Sequence, residues 1–208
     1  MYKKFSKRLI DLIGSFTGLL LLSPLLLIVT ICLFIANKGK PFFFQQRPGK
    51  NGKTFTIMKF KTMNDKKDDE GNLLPDARRL TKVGVFIRKT SLDEIPQLIN
   101  VIKGDMSIIG PRPLMIRYLP FYTDKEQLRH TVKPGITGLA QVNGRNSLKW
   151  DERLALDVVY VENFSFRQDL KILYKTFLKV IISEDTIANP ESIMKNLDDE
   201  RKNRNTKI

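Results

Sequence analysis

Residues able to act together on phosphorus are concentrated in a few short stretches of this chain. In Ser91-Leu92-Asp93-Glu94-Ile95-Pro96-Gln97 two carboxylates are adjacent. Neighbouring side chains on a helix point about 100° apart, so Asp93 and Glu94 cannot do identical work. One could attack or bind a metal while the other orients a second group. A carboxylate is a competent nucleophile at phosphorus, and a bound Mg2+ would neutralise the charge that develops as a diphosphate bond breaks. The same stretch also reads as a capping box, Ser91 with Glu94 three residues on, in which both acids favour a helix start. Pro96 complicates that reading, because proline suits the first helical position better than the fifth.

Chemistry on a phosphate also needs cations for its oxygens. Candidates are Lys59 in Met58-Lys59-Phe60-Lys61, Arg88, Arg112 in Gly110-Pro111-Arg112-Pro113, and Arg145 in Gly144-Arg145-Asn146. Arginine offers a planar bidentate fork and lysine a point charge. The two prolines around Arg112 make a stiff turn that would fix where it points. Singly, each is an ordinary surface or turn residue; their combination with a membrane anchor carries the signal.

That anchor is the apolar run from Leu12 to Ala36, which meets the ~20 residues a spanning helix needs. It is too long for a secretory signal, and Ile35-Ala36-Asn37-Lys38 lacks a small-residue cleavage pattern. Lys3, Lys4, Lys7 and Arg8 precede it, and Lys38, Lys40, Arg47, Lys50 and Lys53 follow, so positive charge asks for both ends on the cytoplasmic face. Ser23-Pro24 lies at its midpoint. Proline removes an amide donor and clashes with the carbonyl of Leu20, while the Ser23 hydroxyl can bond a carbonyl one turn back. The residues alone allow either a kinked span or a re-entrant helix-break-helix.

Beyond the anchor, the chain suits one soluble domain. Lys plus Arg number 36 against 22 Asp plus Glu, a net charge of +14, which suits anionic lipid, nucleic acid or phosphorylated substrates. The single cysteine, Cys32, excludes an intrachain disulfide and a cysteine zinc cluster, and His130 is the only histidine. Pro41 to Gln46 and Thr54 to Met63 read as a hairpin about Pro48-Gly49-Lys50-Asn51-Gly52. Helical patterns follow at Asp76 to Lys89, Leu92 to Lys103, Leu114 to Leu128, Trp150 to Asn163 and Asp169 to Ile182. In the last, Leu170, Leu173, Phe177, Leu178 and Ile181 form an apolar stripe beside Lys171, Lys175 and Lys179, suited to a headgroup region or to core packing. The tail from Glu191 is charged and expected to fray. The expected fold is α+β and mostly helical: a membrane segment at 1–40, a compact domain with a short β-hairpin at 41–190, and a charged tail at 191–208.

These residues resemble the bacterial sugar transferases with a monotopic membrane domain, the polyprenyl-phosphate phosphoglycosyl transferases. The resemblance is carried by Ser23-Pro24, Gln46-Arg47-Pro48-Gly49, Met58 to Met63, Ser91 to Gln97, Gly104-Asp105-Met106-Ser107-Ile108-Ile109-Gly110-Pro111-Arg112-Pro113, Lys133-Pro134-Gly135-Ile136-Thr137-Gly138-Leu139-Ala140-Gln141-Val142-Asn143-Gly144-Arg145, and Asp157, Tyr160 and Asp169. It implies that Asp93 attacks the sugar-bearing phosphorus of a UDP-sugar, that UMP leaves, and that polyprenyl (undecaprenyl) phosphate then takes the phosphosugar. It further implies Mg2+ at Asp93, Glu94 assisting the second step as base or positioner, and Lys59, Arg88, Arg112 and Arg145 on phosphate or nucleotide. The membrane segment would be re-entrant at Ser23-Pro24, in the bacterial inner membrane, with both termini and the catalytic domain cytoplasmic. Lys61 stands where many members have arginine, so a bidentate contact is not implied there. The chain's brevity resembles members that begin protein N-glycosylation with UDP-diacetylbacillosamine. Partners are then the nucleotide sugar, the lipid phosphate and membrane lipid, with no nucleic acid; the oligomeric state stays open, a homodimer included. The competing reading of the basic charge is a membrane-tethered module that binds nucleic acid or anionic lipid.

Overall fold

The structure is a computed structural model, described here for residues 2–144, 147–182 and 196–205. After one π-helical turn, Tyr2–Ser6, a single helix α1 runs over Lys7–Ala36. The expected break at Ser23-Pro24 gives way to continuous helix, and the reason is local. Pro24 cannot donate to the carbonyl of Leu20, but the Ser23 hydroxyl donates to that same oxygen at 2.7 Å, so the orphaned acceptor is satisfied. The helix is long and apolar enough to cross a membrane. Leu20, Leu21, Leu27, Ile28, Ile31, Phe34 and Ile35 point outward.

Its other face meets the domain along most of its length. Arg8 donates to the carbonyls of Val101 and Ile102 at 2.5 and 2.8 Å, a cation at a helix C-terminus. Lys7 bridges Asp11 and Asp169 at 3.0 and 3.2 Å. Asp11 also accepts the Ile108 amide at 3.1 Å, and the hydroxyls of Tyr2 and Tyr160 donate to Asp169 at 2.5 and 2.9 Å. Past Pro24, Val29 and Leu33 pack into a core with Phe60 and Ile87, and Asn37 donates to the Lys61 carbonyl at 2.7 Å.

The expected hairpin forms from β1 (Phe42–Pro48) and antiparallel β2 (Thr54–Phe60), with Lys59 opposite Phe43. Its turn places Asn51 and Gly52 at φ 56° and 75°, the left-handed region that Asn and Gly tolerate best. The remaining elements are α2 (Asp76–Arg79), α3 (Lys82–Lys89), α4 (Gln97–Lys103), β3 (Ser107–Ile109), α5 (Asp124–Gln127), β4 (Gly135–Thr137), α6 (Leu139–Asn143), α7 (Trp150–Glu162), α8 (Phe166–Ile182) and α9 (Leu197–Asn205). Three expected helices are therefore shorter or interrupted. Thr81 caps α3 through its side chain and divides Asp76 to Lys89. Pro96 starts α4 and separates it from a 3-10 turn at Leu92–Glu94. Pro120 lies within a 3-10 stretch, Ile116–Phe121, that replaces a longer helix.

The parallel pair β3-β4 had no periodic signal, because each strand has only three residues. Glycines make it. A Cβ at Gly135 would lie 2.1 Å from the Gly110 amide nitrogen, and one at Gly138 would lie 2.2 Å from the Gly110 carbonyl. Backbone therefore crosses backbone where the loop carrying Arg112 begins.

The apolar stripe of α8 faces out: Leu170, Leu173, Phe177 and Leu178 are exposed, whereas Asp169 and Ile172 are buried, so these four do not pack into the core. The tail also differs from expectation, since α9 is docked. Leu197 is 0% exposed, within a core of Leu114, Tyr118, Tyr122, Trp150 and Leu154. Arg201 binds Glu126 and Asp151 at 2.7 and 2.9 Å. Leu197→Ala should lower unfolding stability by about 2–4 kcal/mol, measured by denaturant titration of the detergent-solubilised protein; a loss under about 0.5 kcal/mol would mean that α9 does not hold this position.

Candidate active site

Asp93 and Glu94 stand on the 3-10 turn between α3 and α4, and their environments differ. The capping-box expectation fails: Ser91 has φ 56° and makes no side-chain cap bond. Glu94 turns toward two cations, its Oε1 accepting from Lys59 Nζ at 2.9 Å and Arg112 at 2.6 Å. Asp93 has no hydrogen-bond or ion-pair partner among the described residues.

Each cation is placed by its own element. Asn100, buried on α4, accepts from the Met58 amide at 3.0 Å and donates to the Thr56 carbonyl at 2.8 Å. It locks β2, and so Lys59, against the helix that follows Asp93. Arg88, near the end of α3, directs Nε to Thr62 Oγ1 at 2.9 Å. Arg112 is fixed from behind by Arg129, which donates to the Arg112 carbonyl at 2.6 Å and to Asp157 at 2.9 and 3.1 Å. The structure thus brings Lys59, Arg88 and Arg112 into the field of Asp93. Arg145 lies outside the described residues. Arg129 carried no motif signal, because its partners Tyr122 and Asp157 come from separate elements.

Burial, and next the negative charge of Glu94, push the Asp93 carboxyl up, to about 6, against the pull of Lys59, Arg112 and Arg88. Burial also opposes ionisation of Glu94, but Arg112 and Lys59 outweigh it and hold the group well below the usual carboxylate range. For Lys59, burial lowers the pKa and Glu94 works against that. The result is one fixed anion neutralising two cations beside one unengaged carboxylate of raised basicity. Such a carboxylate can attack an electron-poor centre whose oxygens the cations hold.

His130 lines a cleft with Pro48, Gly49, Pro111, Arg112, Pro113 and Arg129. Burial and the Arg129 charge push its pKa down to about 4. The folded value lies below the ~6.5 of an unfolded chain, so the unfolded state takes up the proton first as pH falls. Stability should therefore decline from about pH 6.5 toward pH 4 with a slope that His130→Gln reduces. Thermal unfolding across that range measures it, and equal slopes for the two proteins would refute it.

The family model described as bacterial sugar transferase matches residues 2–183. A sugar transferase of Bacillus subtilis, EpsL, described as uncharacterized, is 55% identical over 179 residues, covering 86% of this chain and 88% of the relative. The exopolysaccharide production protein ExoY of Rhizobium meliloti is 37% identical over 195 residues, covering 86% of each. The UDP-glucose:undecaprenyl-phosphate glucose-1-phosphate transferase of Klebsiella pneumoniae is 41% identical over 188 residues, covering 86% of this chain and 40% of that longer protein. These matches decide between the two readings of the basic charge in favour of an enzyme, and the chain belongs to the bacterial sugar transferase family.

Proposed function

We propose that this enzyme moves a phosphosugar from a UDP-sugar to undecaprenyl phosphate in two steps through Asp93. A carboxylate oxygen of Asp93 forms a bond to the sugar-bearing phosphorus. The bond from that phosphorus to the bridging oxygen breaks, and the electron pair leaves with UMP. An oxygen of the lipid phosphate then attacks the same phosphorus, releasing Asp93 and forming undecaprenyl-diphosphate-sugar. The observation that carries this reading is the contrast between the two acids: Glu94 is engaged by Lys59 and Arg112, while Asp93 is unengaged beside them. The printed activity of the Klebsiella relative supports the substrate classes.

Mg2+ fits this donor set. The described residues contain no group of three His, Cys, Asp or Glu that could hold a metal, and Mg2+ is commonly bound by one or two carboxylates plus substrate phosphates. Asp93 would hold it with the donor's phosphate oxygens. When bound, it would supply charge neutralisation on the diphosphate.

The test incubates the full chain with Mg2+ and one donor at a time: UDP-glucose, UDP-galactose, UDP-N-acetylglucosamine and UDP-diacetylbacillosamine. The expected result for the true donor is UMP in solution and a protein heavier by one phosphosugar. Absence of both across the panel, with undecaprenyl phosphate also supplied, would sink the reading. The donor that reacts also reports whether the glycan is attached to protein or to another carrier.

The proposal includes a re-entrant α1 with both ends on the cytoplasmic side of the inner membrane. Its support is that the domain binds the helix near both ends, at Lys7, Arg8 and Asp11 and again at Val29, Leu33 and Asn37. One compact domain cannot hold both ends if ~30 Å of hydrocarbon separates them. The outward stripe of α8 extends the apolar surface toward lipid headgroups. In a Cys32→Ser background, cysteines at Lys4 and Lys50 should both react with an impermeant maleimide in inside-out vesicles and neither in intact spheroplasts. Labelling from opposite sides would overturn the re-entrant form.

A further inference from the structure

The cations placed around Asp93 are largely occupied inside the protein. Lys59 and Arg112 share Glu94, and Arg88 directs Nε to Thr62. On the reading above, departure of UMP builds negative charge on a second phosphate, one bridging oxygen farther from Asp93 than the phosphorus under attack. Charge developing there needs its own preorganised donor.

Arg47 stands on that side. It lies near the end of β1, next to Pro48 and Gly49, which line one cleft with Pro111, Arg112 and Pro113. β1 also touches the Ile116–Phe121 turn. Arg112 lies within the field of Asp93 and Glu94, and Arg47 lies beside Arg112. The order Asp93, Arg112, Arg47 therefore runs in the direction of a donor's sugar-bearing phosphate, second phosphate and nucleoside. Arg47 is half-buried, and its side-chain partner among the described residues is the uncharged Gln45 Oε1, at 2.5 Å. No carboxylate pairs with it among those residues, while burial and the neighbouring Arg112 both disfavour its charge. Two guanidinium groups at one cleft, with only one of them neutralised, form a site that a phosphate would complete.

We infer that Arg47 binds the donor phosphate that departs as UMP, sharing it with Arg112, while Lys59 and Arg88 serve the phosphorus that Asp93 attacks. The inference rests on the proposed reaction at Asp93. It also separates the motif's two roles: Pro48-Gly49 shape the turn, and Arg47 supplies the charge.

The test compares binding of UMP and uridine to the full chain in detergent, by calorimetry, for wild type, Arg47→Ala, Arg47→Gln, Arg47→Lys and Arg112→Ala. Wild type should bind UMP more tightly than uridine. Arg47→Ala and Arg47→Gln should lose roughly 10- to 100-fold in UMP affinity, as expected for a charge-assisted bond, with uridine affinity unchanged. Arg47→Lys should recover part of the loss. Unchanged uridine affinity also shows that the variants are folded. If Arg47→Gln keeps the wild-type ratio of UMP to uridine affinity while Arg112→Ala loses it, the inference falls and the reaction at Asp93 stands. If wild type itself does not distinguish UMP from uridine, both fall.

Discussion

Asp93→Asn should slow UMP release from the true donor by about 10⁴-fold or more, the scale seen when a covalent nucleophile is removed, and should abolish the phosphosugar adduct. Asparagine keeps the size and shape of the side chain but offers a neutral amide that does not form the bond to phosphorus. Stability should move the other way or not at all. Burial and Glu94 both oppose the negative charge of Asp93, so in metal-free protein at pH 8 the neutral amide removes a cost. Loss of activity with an unchanged or higher thermal midpoint distinguishes a nucleophile from a structural acid. Activity retained within about tenfold, with the adduct still present, would refute the covalent role.

Glu94→Gln should cost about 10²- to 10³-fold in the first step, a scale typical of losing one preorganised electrostatic group. Here one anion holds two cations at 2.9 and 2.6 Å, and the amide would leave Lys59 and Arg112 repelling each other across a partly buried site. It would also remove the charge that helps keep Asp93 basic. Unlike the first variant, this one should be less stable, by about 2–3 kcal/mol. Single-turnover adduct formation and thermal unfolding measure the two effects together. Turnover within a few fold of wild type would show that Glu94 is dispensable to the chemistry.

The contrast between these two expected results was only partly legible in the chain. Adjacency showed that Asp93 and Glu94 differ, but not which of them is engaged. Local sequence offered Ser91 as a cap for Glu94, yet the backbone at Ser91 adopts a left-handed conformation and Glu94 reaches residues 35 and 18 positions away. Pro24 gives a related lesson at the membrane helix. Proline chemistry predicted a lost donor, and the Ser23 hydroxyl, also foreseen, satisfies the carbonyl so well that the helix continues.

What the sequence by itself determined are properties that depend on neighbours along the chain. They include the apolar length of α1, the hairpin and its turn, α7 and α8 within a few residues, and the stretches that carry Asp93, Lys59, Arg88 and Arg112. Apolar period, turn residues and charge order are local, and each appears in a window of ten to twenty residues. Tertiary structure alone decided which acid is held and which is unengaged, that Arg129 and Asp157 brace Arg112, that α9 closes the core through Leu197, and that Arg47 lies beside Arg112. Those facts arise from groups far apart in sequence whose approach costs chain entropy and is repaid only by the assembled core. No local window contains them.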